Sequence, residues 1–387
     1  MTPSGAAAGR RRSRREPDRI LVLNAGSSTL KASLLRRGVE ASLATVTVTW
    51  DGDPVSGADE ALARVLAALG DPPVDGLLGA GHRIVHGGPD LVAPAVVDAA
   101  TLAAIERVTT LAPLHVPPAL AVIRALTRQA PALLQVACFD TAFHARLPEV
   151  SRRYPVPDAW FAEDGIRRYG FHGLSVEWSV GRAAALLGRR RGALRLVVAH
   201  LGAGASVTAV DRGRSVHTSM GFTPQEGLMM ATRSGSVDPG IIFARLRDGR
   251  RTPSSVEEEL VRQSGLLGVG GSADMRALMD RAAAGDRAAR LAIDLFVDRA
   301  ADAIAGAATR LRALDAVVFT AGIGEHAGPV RSAIVRRLTT LGVAPIRPAA
   351  RRGDVILSAP GARPAVIRVE AREDLVIAAA VARAARR

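Results

Sequence analysis

Two copies of one strand, loop, strand pattern, about 175 residues apart, predict an α/β fold with two similar lobes, mixed sheets flanked by helices and a cleft between them. The first copy is an apolar run at 20–23, a turn cluster Asn24-Ala25-Gly26-Ser27-Ser28, and Leu30, Ala32 and Leu34 alternating with Lys31 and Ser33. The second is an apolar run at 194–199, a Gly-rich stretch at 200–204, an alternating run at 206–210 and a hairpin turn at Asp211-Arg212-Gly213-Arg214. A length of 387 residues suits two units of ordinary domain size, each with its own core.

Further strands are predicted at 76–79 running into 82–85, at 134–139 and at 316–320, the last followed by a Gly322-Ile323-Gly324 turn. Helical periodicity covers 58–69, 120–128, 283–314 and 330–341, and an alanine-rich helix ends the chain at 374–387. Pro155 and Pro157 interrupt any long element, which places the domain boundary between 148 and 164. The expected division is an Arg-rich disordered arm at 1–18, a first lobe from 19–150 plus 375–387, and a second lobe from 151–374.

Composition excludes several function classes. The single cysteine, Cys138, rules out disulfides within the chain and a cysteine-rich metal site, and suits a reducing compartment, so a cytoplasmic location is expected. No stretch approaches the ~20 apolar residues of a membrane span, and no apolar segment follows the basic arm as a secretory signal would require. The formal charge of +14 raises nucleic acid as a partner, but the only dense run is the arm, with a local excess of four positive charges; aromatics, at 3%, offer few stacking platforms. No nucleic-acid partner is therefore expected.

Of 51 Lys and Arg residues only Lys31 is lysine, and Asn24 is the only asparagine. Both fall in one eight-residue window. Each is expected to do what Arg, Gln or Asp cannot, because Lys and Arg differ in shape and hydration at phosphate sites. Gly26-Ser27-Ser28-Thr29 offers unhindered backbone N–H groups at a turn, as a phosphate site needs, but it lacks the Walker spacing and a strand follows it. Two more Gly-rich turns, His200-Leu201-Gly202-Ala203-Gly204 and Gly322-Ile323-Gly324-Glu325, also follow apolar strands. Three such turns in a duplicated fold, with the lone Lys and Asn beside the first, point to a nucleotide. Arg83 and Arg233 stand near glycines, and Asp140 ends an apolar strand, where it either caps the next helix or faces an active site.

Asn24-Ala25-Gly26-Ser27-Ser28-Thr29-Leu30-Lys31 resembles the opening motif of the acetate kinases, and Arg167-Arg168-Tyr169-Gly170-Phe171-His172-Gly173 resembles their second signature. The stretches 81–88, 111–115, 139–144, 215–235, 265–276 and 318–325 are similar to the same family. This resemblance implies two actin-like (ribonuclease H-like) lobes closing on ATP, a homodimer, and magnesium, for which manganese can substitute. It also implies reversible phosphoryl transfer from ATP to acetate, giving acetyl phosphate and ADP. By the same resemblance Asn24 and Glu373 hold the metal, while Ser27 and Lys31 lie near the transferred phosphate. Arg83 binds the carboxylate, Val85, Leu114, Phe171 and Pro224 form the small apolar pocket, and Asp140, His172 and Arg233 are catalytic. His200, Leu201, Gly202, Ala203 and Gly204, with Asp274, Met275 and Arg276 and with Gly322, Ile323, Gly324, Glu325 and His326, grip ATP.

The chain departs from the family pattern at Ala203, which replaces an Asn of the H-L-G-N-G loop, and at His326, which replaces the Asn of G-I-G-E-N. Val116 and Ala119 replace two more asparagines, Met275 replaces an aromatic residue, Ser236 stands where Asp is common, and Ala371-Arg372-Glu373-Asp374 partly matches T-N-E-E. Two alternatives stay open: a kinase for propionate or another short-chain carboxylate, and a catalytically weak nucleotide-binding regulatory member. The presence of Asn24, Lys31, Arg83, Asp140, His172 and Arg233 together argues against the latter.

Overall fold

The computed structural model describes residues 18–26, 28–50, 52–70, 74–347 and 353–386. Ser27 and positions 1–17 of the Arg-rich arm lie outside the described residues.

Strands β1 (Arg19–Ala25), β2 (Thr29–Arg36), β3 (Ser42–Thr49), β4 (Gly79–Ile84), β5 (Ala95–Val96) and β6 (Gln135–Phe139) form one sheet in the order β3-β2-β1-β4-β6-β5. Strands β7 (Arg195–Leu201), β8 (Ala205–Asp211), β9 (Arg214–Thr218), β10 (Ala316–Thr320), β11 (Val355–Ile356) and β12 (Ala365–Arg368) form the other, in the order β11-β12-β10-β7-β8-β9. These orders are one topology written twice. Each begins as an antiparallel meander, adds two parallel strands, and ends on a two-residue antiparallel edge strand. The predicted duplication therefore extends to every strand, giving two actin-like lobes.

Helices cover both faces of each sheet. In the first lobe Ala58–Ala68 and Val116–Gln129 bury Leu62, Val65, Ile123 and Leu126 against one face. Val116 and Ala119, which replace two family asparagines, are buried there, so apolar residues suit these positions. The opposite face carries the C-terminal helix Glu373–Ala384, with Ile377 and Val381 packed on Ile20, Val22 and Val136. In the second lobe Arg287–Ala308 packs on one face and Gly173–Leu186 on the other. Helices Gly173–Leu186 and Glu373–Ala384 also touch each other between the sheets. Among the described residues no helix is long and apolar enough to cross a membrane.

Several elements differ from expectation for identifiable reasons. The helix predicted over 283–314 is the shorter Arg287–Ala308: Gly285, at a positive φ of 95°, closes the preceding helix Met275–Ala283, and the Asp286 carboxylate caps the new N-terminus, accepting from Ala288 and Ala289 N–H. The turn expected at 322–324 is the helix Ala321–His326, entered through Ala321 at φ 65°. The strand expected from 76 begins at Gly79, after a 3₁₀ turn Val74–Gly76.

The central strand β4 lies under the C-terminal helix at two glycines, Gly79 and Gly81, of which Gly81 makes the closer approach to that helix. A Cβ there would stand 2.3 Å from Ile377 Cγ2 and 3.0 Å from Val381 Cγ2. Gly81→Ala is expected to cost about 1–3 kcal/mol of unfolding free energy by overpacking. Gly192→Ala, with nothing within 4 Å of its Cβ, should stay within about 0.5 kcal/mol. Equal midpoints in denaturant titrations of the two variants would contradict this packing.

Candidate active site

The carboxyl ends of the parallel strands converge on the space between the lobes, and that is where the sequence-predicted residues gather. β4 presents Arg83, and the neighbouring β6 ends at Asp140, whose backbone N–H donates to Ile84 O at 3.0 Å. Arg83 grips Asp140 with two bonds, Nε to Oδ1 at 3.0 Å and Nη2 to Oδ2 at 2.5 Å. Its Nη1 donates to Asn24 Oδ1 at 3.3 Å, and Glu373 Oε2 stands 3.4 Å from its Nε. Asp140 therefore faces the site. The capping alternative is excluded, since Thr141 precedes the next turn, Ala142–His144, and no side chain caps it.

Burial pulls the Arg83 pKa down, but the carboxylates of Asp140 and Glu373 outweigh it, so the guanidinium is held above its ordinary value. Burial pushes the Asp140 carboxyl up, Arg83 pulls it back and Glu373 pushes it up again, leaving it raised. Two of the five guanidinium N–H groups thus serve Asp140 and one serves Asn24. Among the described residues this leaves one N–H on each of Nη1 and Nη2 without a partner.

Asn24 and Lys31 are directly opposed in the β1/β2 register, and both line a 170 Å³ cavity with Glu373 and Asp374. The chain's only asparagine and only lysine thus face each other across one hairpin.

From the second lobe, His172 opens the helix Gly173–Leu186 at φ 59°, a left-handed conformation costly for a residue with a side chain. It stacks on His200, ring centroids 3.9 Å apart. His172 Nδ1 pairs with Ser206 Oγ at 3.0 Å and His200 Nδ1 with Ser175 Oγ at 2.9 Å. Burial, then the neighbouring His200 and Arg83, lowers the His172 pKa well below its ordinary value, and burial with Arg83 lowers that of His200 to about 4. Both rings are neutral at pH 7. Gly204 leaves His172 open: a Cβ there would lie 3.3 Å from His172 Nε2 and 3.7 Å from Arg233 Nη1. Arg233 donates only to Pro224 O at 3.1 Å and Met230 Sδ at 3.8 Å among the described residues, and burial lowers its pKa.

Beyond Gly204, Gly202, Ala203, Asp274, Met275, Arg276, Gly322, Ile323 and His326 line a 510 Å³ cavity, a volume suited to a small organic ligand. Asp274 also caps its helix, accepting from Arg276 N–H at 2.8 Å. His200, Leu201, Gly204, Gly324 and Glu325 do not line this cavity. Leu201 is core, Gly324 O accepts from Arg331 Nη1 at 2.7 Å, and Glu325 Oε1 accepts from Ala371 N–H at 2.9 Å. Of the expected apolar pocket, Phe171 is buried, Val85 packs on the second core, Pro224 supplies its carbonyl to Arg233, and Leu114 is 43% exposed.

Four contributors were not singled out from the sequence. Met279 lines the large cavity one helical turn after Met275, a spacing that puts both on one face. Ser175 and Ser206 fix the two imidazoles, and no local pattern announces them. His115, half-buried, is held near pKa 4 by burial, then by Arg233 and Arg83.

A model of the Acetokinase family matches residues 19–379. The acetate kinase of Deinococcus radiodurans is 44% identical over 382 residues, covering 92% of this chain and 96% of its own, and that of Micrococcus luteus is 41% identical, covering 93% and 97%. Among solved structures, the acetate kinase of Porphyromonas gingivalis is similar with a TM-score of 0.85 at 30% identity, covering 95% of this chain and 99% of its own. A propionate kinase from Francisella tularensis has a TM-score of 0.83 at 33% identity, covering 94% and 98%. The match spans both sheets and the whole Arg83 cluster, and the chain belongs to the acetokinase family.

Proposed function

We propose that this chain transfers the γ-phosphoryl group of ATP reversibly to acetate, giving acetyl phosphate and ADP. The observation that carries this reading is the Arg83 guanidinium, held by Asp140 and by Asn24, which faces Lys31, with one N–H on each of Nη1 and Nη2 left without a partner among the described residues; a 510 Å³ cavity lined by Gly202, Ala203 and Gly322 supplies room for a nucleotide. Family membership supports it independently.

In this reading Arg83 pairs with the acetate carboxylate. One carboxylate oxygen attacks the γ-phosphorus in line as the bond to the β,γ-bridging oxygen breaks, and the released pair stays on ADP. Acetate is ionised at neutral pH, so no base is needed, and Asp140 acts by holding Arg83. Phosphoryl transfer through a loose transition state leaves the protein mainly positioning and charge stabilisation. Lys31, Arg233 and the neutral N–H of His172 supply that stabilisation at the transferred oxygens. Met275, Met279 and Ile323 wall the base, and Gly202, Ala203 and Gly322 let backbone approach the phosphates.

Asn24 and Glu373 present hard oxygen donors at the 170 Å³ cavity, which fits magnesium, a cation that uses one or two carboxylates when substrate phosphates supply the rest. Magnesium, or manganese in its place, would neutralise charge on the β- and γ-phosphates there. A cytoplasmic homodimer completes the reading. Helix Pro239–Arg247 buries none of its nine residues and leaves Ile241 and Phe243 49% and 56% exposed, an apolar face for a second copy. Propionate stays the second reading, because Leu114 is 43% exposed and a similar solved structure is that of a propionate kinase.

Trapping the acyl phosphate as a hydroxamate is expected to give product with acetate, and weaker product with propionate by a factor consistent with the ~1–3 kcal/mol of one methylene. ATP binding without product from acetate, propionate or butyrate would overturn the reading. Lys31→Arg is expected to lower turnover roughly tenfold to a thousandfold with folding intact, about 1.4 to 4 kcal/mol, because a planar guanidinium cannot replace a compact ammonium beside phosphate. Arg212→Lys, in the β8/β9 hairpin turn, should change turnover less than about twofold. Matching behaviour of the two variants would remove Lys31 from the phosphate site.

A further inference from the structure

The chain passes from the second lobe back to the first through four residues, Val369, Glu370, Ala371 and Arg372, between β12 and the helix Glu373–Ala384. Their hydrogen bonds divide sharply. Val369 N–H donates to Phe319 O at 2.9 Å, Glu370 N–H to Asp354 Oδ1 at 2.9 Å, and Glu370 O accepts from Trp178 Nε1 at 2.8 Å, all in the second lobe. Arg372 instead reaches the β2/β3 hairpin of the first lobe, donating to Glu40 O at 3.2 Å and Ser42 Oγ at 3.1 Å. The pivot between lobes therefore lies at Ala371 and Arg372.

One side chain holds Ala371. Glu325 Oε1 accepts its N–H at 2.9 Å, and the Glu325 side chain is only 12% exposed. Glu325 belongs to the helix Ala321–His326, whose Gly322, Ile323 and His326 line the 510 Å³ cavity; Glu325 itself does not line it, and its Oε2 stands 3.9 Å from His326 Nε2. That helix is fixed at its other side by the buried Arg331, which donates to Gly324 O at 2.7 Å. Two residues past Ala371 stands Glu373, 3.4 Å from Arg83. A single charge-assisted hydrogen bond thus joins the wall of the nucleotide cavity to the segment that carries a carboxylate into the Arg83 cluster.

We propose that Glu325 is a positioning residue for phosphoryl transfer: it straps the nucleotide-cavity helix to the interlobe pivot and so sets the place of Glu373, without touching the nucleotide. The strap rests on the reading given under Proposed function. What it needs from residue 325 is an acceptor oxygen at Ala371 N–H, not a negative charge at the ligand.

Steady-state kinetics of the full chain with acetate and magnesium ATP separate these roles. Glu325→Ala is expected to lower kcat about tenfold or more while KM for ATP moves less than about threefold, and Glu325→Gln, which keeps an acceptor oxygen, should stay within about threefold of the parent in kcat. A tenfold rise in KM for ATP at unchanged kcat would make Glu325 a nucleotide ligand and overturn the strap. Equal losses in the Ala and Gln variants would overturn it too, as would full turnover in Glu325→Ala. Should Glu325→Ala fail to fold, amide exchange of segment 369–373 in the parent protein decides: a non-hydrolysable ATP analogue alone should slow exchange at Ala371, and unchanged exchange would sink the proposal. Inactivity of the parent toward acetate would count against the phosphoryl-transfer reading, while the exchange measurement would still test the strap.

Discussion

The buried pair between Arg83 and Asp140 is the contact on which the rest of the site depends. Asp140 is 1% exposed, a place where an unpaired carboxylate would be very costly, and the bidentate guanidinium makes that burial tolerable. Its backbone is committed as well: its N–H continues β6 against Ile84, and its carbonyl accepts from Gly173 N–H at 2.8 Å. The latter contact holds the start of the helix that His172 opens, and Gly173 must be glycine, since a Cβ would lie 2.2 Å from that same carbonyl. One residue therefore joins Arg83 of the first lobe to the start of the helix capped by His172 in the second. Replacing such a pair with apolar residues could preserve folding. Its retention is explained by the N–H groups on Nη1 and Nη2 of Arg83 that it leaves without a partner among the described residues.

Duplication gives this arrangement its geometry. In the first sheet Asn24 and Arg83 are the penultimate residues of β1 and β4 and Asp140 directly follows β6; in the second β7, β10 and β12 end next to the 202–204 loop, the Ala321–His326 helix and the segment before Glu373. Ligands in open α/β sheets bind outside the carboxyl ends of the parallel strands. Two such sheets present two chemically distinct cavities: one lined by Asn24, Lys31, Glu373 and Asp374, the other by glycines and the thioethers of Met275 and Met279.

Much of this was legible in the sequence because its signals are local. Apolar runs ending in polar turns marked β1, β7 and β10, and the isolation of Lys31 and Asn24 in an arginine-rich chain marked the first hairpin. Their direct pairing across β1 and β2 was not stated by the pattern; it follows from the register. What stayed hidden depends on residues distant in the chain. The capping or catalytic role of Asp140 could not be separated until β4 placed Arg83 beside it, 57 positions away. Glu325 lies inside a Gly-rich motif that reads as a nucleotide loop, yet its partner is 46 residues on, at a segment with no distinctive composition. The start of the helix Arg287–Ala308 had a local signal, a positive-φ glycine followed by an Asp N-cap, which the alanine-rich periodicity running on from 283 masked.

The central claim is that Asp140 works through Arg83 rather than on the substrate. A double-mutant cycle of Arg83→Ala and Asp140→Ala, read as kcat/KM for acetate with each variant's fold checked by circular dichroism, measures this directly. Strong non-additivity is predicted: each single variant loses most of the activity, and the double variant falls below Arg83→Ala by no more than about threefold. Losses that multiply would give Asp140 an independent part in the reaction and contradict the account.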